Sequence, residues 1–204
     1  MKKEKILDVV FILDKSGSMS NNIDNTITSF NEYLEREKNN KYKTRITTTL
    51  FSDNYSYLHK CLDIKTIKPI TINEYNCSGC TALYDAVGNT INYIDSIKHD
   101  KVLFIIITDG YENASKEYNK DIISEMIKKH NNYQFIYIGA DIDSYKEASS
   151  IGIKKDNIAN FKKDKESSSL LFKSVECFAS SMMEDKNTCN WKNELDNYIT
   201  KNKE

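Results

Sequence analysis

At 204 residues the chain has room for one domain with a short appendage, and 39% apolar content is too high for an intrinsically disordered polymer. Its 29 basic and 30 acidic residues leave a net charge of -1, which argues against a general nucleic-acid binder, because that role needs a basic surplus to replace phosphate counterions. One proline and six glycines exclude collagen-like, proline-rich and linker-dominated architectures.

The first apolar stretch, Ile6–Leu13, is broken by Asp8 and runs straight into Asp14. No small-residue cleavage site follows it, so it reads as a strand and not as a signal peptide. No stretch approaches the roughly 20 apolar residues of a membrane-spanning helix. Five cysteines scattered over a domain-sized chain fit reduced thiols, and the expected setting is cytoplasmic, with no membrane partner.

In chain order, Ile6–Leu13 is followed by a helical stripe between Met19 and Glu37, where Ile23, Ile27, Phe30 and Leu34 recur at spacings of three and four. Arg45–Phe51 and Tyr55–Ile64 flank Ser52-Asp53-Asn54 and read as an antiparallel hairpin. Thr81 to Ile97 carries Leu83, Tyr84, Val87, Ile91 and Ile94 on one helical face. Val102–Ile107 is a second buried strand, Ser115 is expected to cap a helix running to about His130, and Phe135–Ile138 is a third strand. A weak strand at Asn157–Phe161 and a helix at Ser167–Met183 complete the pattern. Alternation of this kind predicts an α/β, doubly wound, mostly parallel sheet with helices on both faces. The domain is expected over residues 1–183, with a helical tail at 184–204. The tail's stripe of Trp191, Leu195, Tyr198 and Ile199 packs on the domain or docks on a partner.

Chemistry concentrates at the ends of the apolar runs. The first ends in Asp14-Lys15-Ser16-Gly17-Ser18, a D-x-S-x-S pattern; the second ends in Thr108-Asp109-Gly110; Gly79-Cys80-Thr81 opens the helix between them. In an open doubly wound sheet, ligands bind beyond the carboxyl ends of the strands where the order reverses. If Asp14 and Asp109 end neighbouring strands, two carboxylates converge with the hydroxyls of Ser16, Ser18 and Thr81. Donors that are all oxygen suit a hard divalent cation: Mg²⁺ first, with Mn²⁺ or Ca²⁺ as alternatives. Read alone, D-x-S-x-S is equally a helix N-cap.

Asp14, Ser16, Ser18, Thr81 and Asp109, in this order and on these elements, resemble the von Willebrand factor type A domain with its metal-ion-dependent adhesion site. The run Thr81-Ala82-Leu83-Tyr84-Asp85-Ala86 adds to the likeness, which covers Ile6 to Met183. The resemblance implies a six-stranded sheet with one antiparallel edge strand. It implies that Ser16 and Ser18 ligate the metal directly, that Thr81 does so directly or through water, and that Asp14 and Asp109 act directly or through waters. It also implies a stand-alone intracellular module of the bacterial or phage type that works by binding. Its protein partner would present Asp or Glu, with an ATPase or a multi-protein assembly as the setting. The chain has no G-x-x-x-x-G-K-[ST] loop, so any ATPase is another protein.

Two other functions compete with this one. A Mg²⁺-dependent phosphohydrolase using Asp14 would need a second aspartate where Ser16 stands, and G-x-S-x-G and H-E-x-x-H are missing. A scaffold with a vestigial metal site is the third reading. Cys77-Ser78-Gly79-Cys80, directly before Thr81, reads as a pair of reduced loop thiols, a thiol switch or half a zinc site. Lys15 is expected to face solvent or steer an acidic partner, Tyr111 and Glu112 to form a rim, and Lys162–Glu166 to be a solvated connection.

Overall fold

The computed structural model describes residues 5–186 and 190–202. A six-stranded sheet has the order β3-β2-β1-β4-β5-β6, formed by β1 (Ile6–Asp14), β2 (Lys43–Phe51), β3 (Tyr55–Asp63), β4 (Lys101–Thr108), β5 (Gln134–Gly139) and β6 (Ile158–Asn160). Every pairing is parallel except β2 with the edge strand β3. The chain leaves β1 towards β2 and returns through β4 on β1's other side, so the order reverses between β1 and β4. Leu13 pairs there with Ile107, which sets Asp14 and Thr108 side by side at the carboxyl edge.

β1 and β4 are buried on both faces, which their unbroken Ile, Val and Phe content dictates. One apolar layer joins Leu7, Val9, Phe11 and Leu13 to α1 (Ile23–Lys38) and α5 (Lys165–Met183). Phe11 meets Phe30 edge-on at 5.1 Å between ring centroids. The opposite layer joins Val10, Ile12, Phe104 and Ile106 to α2 (Leu83–Asp95) and α3 (Lys120–Lys129). The short α4 (Ser144–Ser150) adds Ala148 to it. The final α6 (Asn193–Lys201) buries Leu195; Trp191, just before it, meets Phe178 edge-on at 5.5 Å and donates to the Asp156 carbonyl at 2.8 Å. Among the described residues no helix is long and apolar enough to cross a membrane.

Several boundaries differ from the sequence reading. A 3-10 turn, Gly17–Asn22, precedes α1, and α2 begins at Leu83 because backbone bonds hold residues 78–82 in another path. Ser115 does not open α3: Asn119 does, its side chain accepting from the Ile122 amide at 3.0 Å. α5 starts two residues earlier than Ser167, because the Asp164 side chain caps it by accepting from the Ser167 amide at 2.7 Å. The unexpected α4 has no apolar stripe in Ser-Tyr-Lys-Glu-Ala-Ser-Ser and rests on an Asp143 cap.

Glu37, in the last turn of α1, is 2% exposed, and burial pushes its carboxyl up to about 7 despite hydrogen bonds from Asn40. The folded chain therefore keeps a proton that the unfolded chain gives up, and this group's contribution to stability falls as pH rises from 4.5 to about 7. Glu37→Gln is expected to be more stable than the wild type by up to about 3 kcal/mol above neutral pH, with the difference closing in acid. Urea unfolding of both proteins across that range measures it.

Candidate metal centre

The carboxyl edge gathers all five residues singled out in the sequence. Asp14, at the end of β1, is fully buried: its Oδ1 accepts from the Ser16 amide at 2.7 Å and its Oδ2 from the Thr108 hydroxyl at 2.5 Å. The Ser16 and Ser18 hydroxyls lie 3.1 Å apart, and Ser18 Oγ donates to Asp109 Oδ1 at 2.5 Å. Thr81 is 3% exposed, and its Oγ1 is so close to Gly110 that a β-carbon there would stand 2.8 Å from it. Burial raises the Asp14 carboxyl above its ordinary range and the nearby Asp109 charge adds to this, outweighing the Thr108 and Ser16 hydrogen bonds that pull it down.

Three separate loops are tied together to make this cradle. Gly17 donates to the Gly79 carbonyl at 3.0 Å and Ser78 to the Lys15 carbonyl at 2.9 Å, joining the serine loop to the threonine loop. Gly79 has φ +79°, a left-handed backbone for which glycine is suited, and its α-carbon faces the Asp53 carboxylate. Ala82 donates to the Ser52 carbonyl at 2.7 Å, anchoring the same loop to the β2–β3 turn. Asn113 grips Thr81 from the third side, its Oδ1 accepting from the Thr81 amide at 2.9 Å while its own amide donates to the Thr81 carbonyl at 3.0 Å.

Asp85, read only as part of the Thr81–Ala86 run, and Glu112, expected at the rim, hold the loop after Asp109. Asp85 accepts from the amides of Lys116, Glu117 and Tyr118 at 2.8–2.9 Å. Glu112 accepts from the amides of Tyr84, Ala114 and Ser115 and from the Ser115 hydroxyl. These two carboxylates collect the amides of 114–118, and that is why Ser115 cannot start a helix. Asp85 stood inside the Thr81–Ala86 run; nothing in its spacing marked it as the acceptor for a loop some thirty positions on.

The connection after β6 also departs from expectation. Lys163 is not solvated but reaches back to the site, its Nζ 3.0 Å from Asp109 Oδ2 and 2.6 Å from Asp141 Oδ2. Burial works against the charged ammonium, yet the hydrogen bonds and charges of Asp141 and Asp109 raise its pKa overall. Lys15 is half-buried, and Tyr111 stands exposed at the rim, where its hydroxyl accepts from the Asp143 amide at 3.3 Å.

The cysteine pair is unbridged, and its thiols turn to different partners, Cys77 to the Tyr75 hydroxyl and Cys80 to Asp53. Burial pushes the Cys77 thiol up to about 11, and the Asp53 hydrogen bond and charge raise that of Cys80. Among the described residues no three of His, Cys, Asp or Glu stand together as a metal cluster. A cation at this edge would therefore be held by hydroxyls and two aspartates, a set whose hardness and low charge fit Mg²⁺ or Mn²⁺.

The von Willebrand factor type A domain model matches residues 8–174. Solved structures share the fold at low identity. Proximal thread matrix protein 1 from the mussel byssus, with a zinc-occupied MIDAS motif, is 17% identical at TM-score 0.62, the match covering 92% of this chain and 46% of that one. The PilB minor pilin from Streptococcus sanguinis is 12% identical at TM-score 0.67, covering 91% and 63%. The ArnB paralog VWA2 from Sulfolobus acidocaldarius is 21% identical at TM-score 0.56, covering 90% and 46%. The match thus spans about half the length of the first of these structures. No curated protein matches the chain significantly.

Asp85→Ala leaves three amides of the Asp109 loop without their acceptor. The expected loss is about 3 kcal/mol in urea unfolding, the scale for hydrogen bonds to a buried charged group. Asp85→Asn, which keeps one acceptor oxygen, is expected to lose less.

Proposed function

As the chain belongs to the von Willebrand factor type A domain family, we propose that it is a metal-dependent protein-binding module. Asp14, Ser16, Ser18, Thr81 and Asp109 hold a divalent cation, Mg²⁺ by donor chemistry, through which the chain binds an Asp or Glu side chain of a protein partner. The observation that carries this reading is the convergence of three hydroxyl-bearing residues and two buried carboxylates at the switch point between β1 and β4. The zinc-occupied motif of the mussel matrix protein supports a divalent ion in this fold.

Bound there, the ion would supply an electrophilic position for an anionic oxygen, because neutral hydroxyls leave much of its charge unquenched. The chain's own residues do the rest. Backbone bonds from Gly17, Ser78 and Asn113 fix the relative positions of the hydroxyls before any ligand arrives. Asp14 is held in place by Thr108 and Ser16, one hydrogen bond to each of its oxygens. Asp109 is likewise engaged on both oxygens, by Ser18 and Lys163. These restraints favour binding over hydrolysis.

Calorimetric titration with MgCl₂ and MnCl₂ tests the reading. Wild type is expected to bind, Asp14→Ala and Ser18→Ala to lose binding with the fold retained by circular dichroism. Gly110→Ala, which crowds Thr81 Oγ1, is expected to weaken binding by about tenfold, the scale for disturbing the support of a ligand. Affinity capture with and without EDTA then identifies partners held through the ion. Wild-type protein that binds neither metal overturns the proposal, and turnover of phosphoesters would replace it with an enzymatic one.

A further inference from the structure

Lys163 lies outside the family pattern read in the sequence, and its ammonium sits against a residue of the proposed metal set. Its Nζ is 3.0 Å from Asp109 Oδ2, and the Asp109 side chain is 0% exposed. The same Nζ is 2.6 Å from Asp141 Oδ2, on a side chain that is 64% exposed. The lysine thus bridges an inner carboxylate, which belongs to the cradle, and an outer one, which does not. Asp141 has φ +55°, a left-handed backbone unusual for a residue with a side chain, in the turn just after β5.

Resting on the metal-binding reading above, we infer that Lys163 is a built-in competitor for the cation at Asp109, with Asp141 as the place it retreats to. A monovalent ammonium compensates the Asp109 charge. A divalent cation drawing on the same carboxylate meets a like charge about one carboxylate's width away, and each weakens the other's hold. Asp141 lowers the barrier to this exchange, because Lys163 can give up Asp109 while keeping one ion pair. The result is a site of tempered affinity whose occupancy follows the metal concentration around it. Lys163 is a positioning and affinity-setting residue, not a ligand.

The test is a double-mutant cycle read by calorimetry with MnCl₂, on wild type, Lys163→Gln, Asp141→Asn and the double variant. Removing the ammonium is expected to tighten Mn²⁺ binding by about tenfold or more. Asp141→Asn, which leaves Lys163 with Asp109 alone, is expected to weaken it. In the Lys163→Gln background, Asp141→Asn is expected to change little, since its effect runs through the lysine and not through the general field. In EDTA, Lys163→Gln is expected to melt below wild type, because Asp109 loses its partner, and to gain more on adding Mn²⁺. Unchanged or weaker Mn²⁺ binding in Lys163→Gln overturns the inference and leaves the metal site standing. So does an Asp141→Asn effect of the same size in both backgrounds. Absence of Mn²⁺ binding in all four proteins overturns the inference together with the reading it rests on.

Discussion

Two carboxylates have been placed out of water at the ends of adjacent parallel strands, and the local structure is organised around what that costs. Asp14 and Asp109 are both buried, and burial, with a smaller contribution from the Asp109 charge, raises the pKa of Asp14. Burying like charges together is unfavourable unless hydrogen bonds or counter-charges compensate. Neither aspartate can swing away, because β1 and β4 are packed on both faces between helix layers and hold their ends in register. The serine hydroxyls, the Thr108 hydroxyl, the Ser16 amide and the Lys163 ammonium are all answers to that one constraint.

Compensation at the centre would be of little use if the loops carrying it were free to drift. Thr81 is exposed to that risk, since its loop continues neither of the two central strands. Its loop is bound to the serine loop through Gly17 and Ser78, to the hairpin turn through Ala82 and Asp53, and to the loop after β4 through Asn113. Asp85 and Glu112 then hold that last loop against the start of α2. Most of these bonds use backbone groups that would otherwise need water. Satisfying them internally fixes the cradle and reduces the ordering that any ligand has to impose.

This division explains what could be read from the amino acids alone. β1, β4 and β5 were legible because burial on both faces demands unbroken apolar runs, as in Val102–Ile107, and the D-x-S-x-S run and Asp109 stand at the ends of two such runs. Thr81 was legible only through its resemblance to a known arrangement, since its place depends on three loops meeting. Lys163 was not legible: in Lys-Lys-Asp-Lys-Glu it looks like any solvated charge, and its destination is a carboxylate 54 positions earlier in the chain. Asp164, its neighbour, hid in the same run as the cap of α5. Likewise Ser115 is a plausible helix cap by its type, but the amides around it were already claimed by Asp85 and Glu112. Local chemistry proposes such partners, and only the tertiary arrangement assigns them.

The charge balance at the edge also separates folding from ligand binding. The two apolar layers on the faces of the sheet involve none of the hydroxyls of the cradle, and the aspartates already have hydrogen-bond partners without any added ion. The core of the sheet is thus built without the side chains of the cradle, unlike small domains in which a bound ion stands in for the core. On the proposed reading, a divalent cation would turn a self-compensated acidic pocket into an electrophilic one on a framework that is already rigid. The free energy of metal binding would then go into selecting an anionic partner and not into ordering the chain.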